Sequence, residues 1–144
     1  MSMQRREFLK LAGVTSALTA VSGCATMGGG AAGRVVVVGG GYGGATAAKY
    51  LRMWSGGSVD VTLVEPNADF ISCPMSNLVL GGSKRIADVT VSYANLAKRW
   101  GVTIVRDTAV AVDADKRTLR LAGGQTLAYD RLILSPGVEF LYDQ

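Results

Sequence analysis

The sequence predicts an α/β fold, a doubly wound parallel sheet with a β-meander crossover, and three observations carry that prediction. Arg34 is followed by four valines, Val35 to Val38, a β-branched run suited to a strand covered on both faces. The turn Gly39-Gly40-Gly41-Tyr42-Gly43-Gly44 comes next and opens a run rich in small residues, Ala45, Ala47, Ala48, Tyr50 and Leu51. A second apolar strand, Val61 to Val64, then ends in an acid, Glu65. Strand, turn, helix and strand in that order form a βαβ unit, whose strands lie parallel.

Each position of the turn has a physical task. Gly39 permits a tight exit from the strand, Gly41 removes a β-carbon where the backbone would approach a pyrophosphate, and Gly44 lets the helix pack closely on the sheet. The helix N-terminus turns unpaired amides and the positive end of its dipole toward the same place. Glu65 stands twenty-one residues after Gly44, the spacing at which a strand-end carboxylate meets the ribose hydroxyls of an adenine dinucleotide. A glycine-rich loop alone would be weak support. Here it follows a strand, opens a helix and is answered by an acid, so the unit is Rossmann-like and its predicted ligand is a dinucleotide.

The chain of 144 residues is 49% apolar, enough for one core, so one domain or part of one is expected. Its formal charge of +4 is modest. Arg5, Arg6, Lys10 and Glu7 belong to the first segment, which leaves twelve basic against ten acidic side chains elsewhere. That balance gives no case for nucleic-acid binding.

Residues 1–33 read as an export leader and linker. Arg5-Arg6-Glu7-Phe8-Leu9-Lys10 precedes an apolar stretch, Leu11 to Val21, too short to span a bilayer. This resembles the twin-arginine signal that carries folded proteins across the bacterial inner membrane, and it makes the periplasm the expected location. Val21-Ser22-Gly23-Cys24 is similar to a lipobox, in which the cysteine carries a lipid and attaches the protein to a membrane surface. The alternative is cleavage near Ala31-Ala32 with Cys24 discarded. Either way Cys73 is the remaining thiol.

Between Glu65 and Gly82, Pro66 stops the strand, Asn67 and Asp69 mark a turn, and Pro74 opens a predicted helix to Leu80. Cys73 would then precede a helix N-terminus, a position that favours a thiolate. The other reading is a small buried hydrophobe, and composition alone favours it. Farther on, Ser92 is a predicted N-cap for a helix holding Tyr93, Leu96, Ala97 and Trp100, stopped by Gly101. Its aromatic residues are read as core. Val102 to Val105 reads as a strand. Thr108 to Val112, Thr118 to Leu121 and Gln125 to Ala128 read as an antiparallel meander, and Arg131 to Leu134 as a strand with Asp130 at its solvated start.

The turn with its flanking strand and helix, then Val61-Thr-Leu-Val-Glu-Pro-Asn67, Cys73 with Ser76-Asn77, and Tyr129-Asp130-Arg131 leading to Pro136-Gly137, together resemble the flavin-binding subunit of flavocytochrome c sulfide dehydrogenase. The similarity covers nearly all of Gly33 to Asp143. It implies that residues 34–144 are the first part of an FAD-binding domain, with FAD held covalently by a thioether from Cys73 to the 8α-methyl group. Neighbouring flavoprotein families share the turn and the acid, so Cys73 is the specific mark. The resemblance also implies that the backbone at Ala109 holds the adenine edge, where the plain alternative is an ordinary strand residue, and that Gly137 lies against the cofactor.

For the whole enzyme the resemblance implies that sulfide attacks a disulfide and that electrons pass through FAD to the haem of a cytochrome c partner. The disulfide belongs to a later portion of such proteins, so the chain reads as an amino-terminal piece or truncated product whose catalytic residues lie beyond residue 144. Other readings are a pyridine-nucleotide-dependent disulfide or quinone reductase, disfavoured because an exported protein has little access to NAD(P)H, a sulfide:quinone oxidoreductase of the same class, and a non-catalytic nucleotide-binding remnant.

Overall fold

The computed structural model of the protein describes residues 31–138. Residues 1–30 and the last six residues lie outside them, and with them the expected export signal and the lipobox at Cys24. Four parallel strands form the main sheet: β1 (Gly33–Val38), β2 (Val59–Val64), β5 (Thr103–Val105) and β9 (Arg131–Leu134), in the order β5-β2-β1-β9. β1 is central. Its partner β2 follows it through helix α1 (Tyr42–Trp54), whereas β9 reaches its other edge only after the rest of the domain. Because Val38 pairs with both Val64 and Leu134, the carboxyl ends of three strands line up. The chain changes direction there, which is where open α/β sheets bind their ligands.

The valine run is buried on both faces, as its composition predicts. Val35 and Val37 face one layer with Val61, Leu63 and Ala48 of α1, and Leu96 and Trp100 of α3 (Ala94–Trp100) pack against it. Val36 faces the other layer with Val64, Leu119, Leu121 and Tyr129. That second layer is the meander β6 (Ala109–Asp113), β7 (Thr118–Leu121) and β8 (Thr126–Ala128), antiparallel throughout. Each fully buried Val or Leu contributes about 1.5–3 kcal/mol relative to exposure, so the two layers fix which way every residue of β1 points.

The structure corrects several sequence expectations. Asp69 belongs to a strand rather than a turn: β3 (Asp69–Ile71) pairs antiparallel with β4 (Thr90–Ser92), a pair whose members are too short for their alternation to register. The expected helix from Pro74 splits into a 3₁₀ turn, Cys73–Met75, and α2 (Ser76–Leu80). A second 3₁₀ turn, Ile86–Val89, leads to β4. Ser92 closes β4, and Tyr93 takes the N-cap position of α3, although Ser92 Oγ still accepts from the Ala94 N–H at 3.2 Å. Gly101 stops α3 in a left-handed conformation (φ 67°) as expected.

Asp130 is a latch. Its carboxylate accepts from the Arg34 backbone N–H at 2.7 Å and from the guanidinium at 3.3 and 3.2 Å, while its own N–H donates to the Arg34 carbonyl at 2.8 Å. These bonds tie the start of β9 to the start of β1. The Arg34 hydrogen bonds hold the Asp130 carboxyl below the usual carboxylate range. A depressed carboxyl adds stability above its unfolded pKa of about 4 and loses it as pH falls through the lower folded value. Melting temperature followed from pH 6 downward (roughly the span of carboxyl titration) therefore falls less steeply in Asp130→Asn than in wild type, and at neutral pH the variant melts lower.

Candidate dinucleotide site

The site begins where β1 ends. Gly39 takes a left-handed conformation (φ 93°), and a β-carbon there would sit 2.0 Å from the Ser135 carbonyl oxygen, so only glycine lets the ends of β1 and β9 approach. The Gly39 N–H donates to the Val64 carbonyl at 2.9 Å and the Ser135 N–H to the Val38 carbonyl at 2.8 Å. Gly44 is buried against the turn: its β-carbon would lie 1.8 Å from the Gly39 carbonyl oxygen and 3.2 Å from Val37 Cγ1. At Gly41, the N-cap of α1, a β-carbon would meet no protein atom within 4 Å. The glycine there leaves open space in front of the helix.

Glu65 is 8% exposed and faces this corner. Its Oε2 accepts from the Gly40 N–H at 2.7 Å, and its Oε1 accepts from the Asn67 N–H at 3.0 Å and from Asn67 Nδ2 at 2.7 Å. A carboxylate offers about four acceptor positions. Three are filled, and one on Oε2 is left for a ligand hydroxyl.

Tyr93 completes the arrangement from 53 residues away, donating its hydroxyl to the Gly40 carbonyl at 2.9 Å. Sequence reasoning assigned it to the core. It is core, and it also holds the turn. Burial first, then the negative charges of Glu65 and Asp69, pushes its phenol up to about 12.

Cys73 is exposed, so it is not the small buried hydrophobe that composition suggested. It opens the 3₁₀ turn directly after Ser72, whose hydroxyl shares a hydrogen bond with that of Tyr42 at the start of α1. The Cys73 segment is thereby brought to the glycine turn. Ala109 begins β6, half-buried beside the meander layer. Gly137 is exposed two residues past Ser135, in a left-handed conformation (φ 82°). Asn67, Tyr93, Tyr42 and Ser72 are the residues that sequence reasoning did not assign to the site. Asn67 alone left a local signal, its place two residues after the strand-end acid.

A 360 Å³ groove runs over Gly41, Glu65, Asn67, Asp69, Phe70 and Tyr93. It adjoins the N-terminus of α1, a helix of 13 residues with no acid in its own first turn, so the positive end of the dipole faces the groove, with Glu65 as the neighbouring acid. The groups present fit an adenine dinucleotide: orphan amides for the diphosphate, a glycine without obstruction, and an acid with one acceptor position open.

Fold and site together define a dinucleotide-binding domain of the Rossmann-like class. A family model described as pyridine nucleotide-disulphide oxidoreductase matches residues 33–140, and the chain belongs to that family of FAD-dependent oxidoreductases. It is 63% identical over 38 residues to the sulfide dehydrogenase [flavocytochrome c] flavoprotein chain of Chlorobaculum thiosulfatiphilum, covering 26% of this chain and 77% of that one. The resemblance read from the motifs holds.

Among solved structures, the sulfide:quinone oxidoreductase of Aquifex aeolicus has a TM-score of 0.72 and 27% identity, over 77% of this chain and 26% of that one. The water-forming NADH oxidase of Lactobacillus brevis has a TM-score of 0.66 and 25% identity, over 78% of this chain and 27% of that one. The chain thus spans about a quarter of the length of these structures.

The raised Tyr93 phenol gives a direct test. Its proton is held more tightly in the folded state, so the stability it adds is complete below the unfolded value of about 10 and is lost as pH rises through about 12. Spectrophotometric titration of phenolate in wild type minus Tyr93→Phe should show one tyrosine ionising near pH 12. Removing the hydroxyl should also cost about 1–3 kcal/mol of unfolding free energy, because the buried Gly40 carbonyl loses its donor.

Proposed function

We propose that this chain is the FAD-binding portion of a periplasmic sulfide dehydrogenase that passes electrons from sulfide to a c-type cytochrome. The observation that carries the reading is the buried Glu65 aimed at the glycine turn with an exposed Cys73 linked to the same turn through Ser72. The 63% identity to a flavocytochrome c flavoprotein chain supports the choice of sulfide and cytochrome. The paired arginines of the leader support export by the twin-arginine route, and Cys24 supports a lipid attachment.

In this reading the first amides of α1 bind the diphosphate, and Glu65 accepts a ribose hydroxyl on Oε2. Cys73 holds the flavin through a thioether, so the cofactor stays with the protein after export. Ala109 at the start of β6 approaches the adenine edge, and Gly137, past the end of β9, lies against the cofactor. Bound FAD supplies the ability to take an electron pair and return electrons singly, which suits a sulfur donor and a haem acceptor. The 27% likeness to a sulfide:quinone oxidoreductase favours a quinone as the second candidate acceptor.

The intact protein, expressed with its leader, should yield yellow flavin fluorescence that stays with the denatured polypeptide. Cys73→Ser should release all flavin on denaturation. Sulfide-dependent reduction of cytochrome c, with no reduction of a soluble quinone, supports the first acceptor, and the reverse result supports the second.

A further inference from the structure

We infer that Tyr42 is a positioning residue, which sets Cys73 for its bond to the flavin; the inference rests on the covalent attachment proposed above. Tyr42 occupies a position that the glycine fingerprint leaves free, and its side chain is otherwise unnecessary to the turn. Although the residue is 56% exposed, both of its ends are engaged. The hydroxyl hydrogen-bonds with Ser72 Oγ, and the ring meets Phe70 edge-on, 4.8 Å between centroids at 79°. Ser72 is 9% exposed, and its N–H donates to the Val89 carbonyl at 2.8 Å. On the other side of the thiol, the Ser76 N–H donates to the Cys73 carbonyl. The backbone is therefore held before and after Cys73 while its side chain stays open.

Little else secures this segment. β3 has three residues and α2 has five, and a helix that short does not sustain itself. Tyr42 is the first residue of α1, the helix whose amides would bind the diphosphate, so one side chain joins the cofactor's phosphate end to Ser72, the residue directly before the 3₁₀ turn that carries the thiol. Bond formation within a complex depends on holding the reacting atoms within reach of each other. In the bond itself, the Cys73 sulfur gives up its proton and joins the 8α carbon, which loses one hydrogen. The electron pair and two protons released reduce the same flavin, and the enzyme's own haem or quinone acceptor takes the pair away.

The test compares intact wild type with Tyr42→Phe, Ser72→Ala, Ser72→Thr and the double variant Tyr42→Phe/Ser72→Ala. Total flavin per protein, melting temperature and the fraction of flavin surviving denaturation are measured for each. Tyr42→Phe keeps the ring and loses only the hydroxyl. The denaturation-stable fraction formed in a fixed time should fall about two- to tenfold in Tyr42→Phe and Ser72→Ala, the range one hydrogen bond commands. Total flavin and melting should change little, the double variant should be no worse than either single one, and Ser72→Thr should restore the fraction. A wild-type covalent fraction retained by Tyr42→Phe overturns the inference and leaves the attachment standing. Parallel loss of total flavin and melting in both single variants also overturns it, since the role would then be structural. Flavin fully released from wild type overturns the covalent attachment itself, and the inference with it.

Discussion

The Gly40 peptide is gripped at both ends, its N–H by the Glu65 carboxylate and its carbonyl by the Tyr93 hydroxyl. The partners lie 25 and 53 residues away in sequence and come from the end of β2 and the start of α3. A glycine-rich turn left to itself would sample many conformations, at a large entropic cost on binding. Here buried hydrogen bonds settle the orientation in advance. Tyr93 also closes the space behind the turn, since a β-carbon on Gly40 would meet its hydroxyl oxygen at 2.4 Å. The first turn of α1 is thus aimed by residues that make no part of the glycine motif.

The sheet makes that grip possible. Val35 and Val37 bury one face and Val36 the other, so β1 has no freedom to roll, and its register with β2 and β9 brings Val64 and Leu134 level with Val38. Gly39 and Ser135 then meet at van der Waals limits above the strand ends. Helices cover one face and the meander the other, which leaves the carboxyl edge as the open side. Glu65, the amides of α1 and the Cys73 segment converge there because three strands end together.

Much of this was legible in the sequence, because it is carried by local patterns. Four valines announce a strand covered on both faces, the glycine spacing and Glu65 announce the βαβ unit, and Arg131 to Leu134 matches β9 residue for residue. The meander strands were displaced by no more than one residue. What escaped depends on distant partners. Nothing near Tyr93 signals that its hydroxyl meets Gly40. The pairing of β3 with β4 joins two three-residue segments across an intervening helix. Asp130 looked like a solvated strand start, since its link to Arg34 spans 96 residues. Tyr42 sits at a position the motif leaves unspecified, and its contact with Ser72 appears only when the chain is folded.

A structure of the intact protein with FAD bound tests the central claim most directly. It should show diphosphate oxygens on the first amides of α1 and an adenosine ribose hydroxyl on Glu65 Oε2, with the Gly40 peptide still held by Glu65 and Tyr93. A diphosphate placed away from the α1 N-terminus, or a Glu65 carboxylate that abandons Gly40 and touches no ribose, would contradict the account.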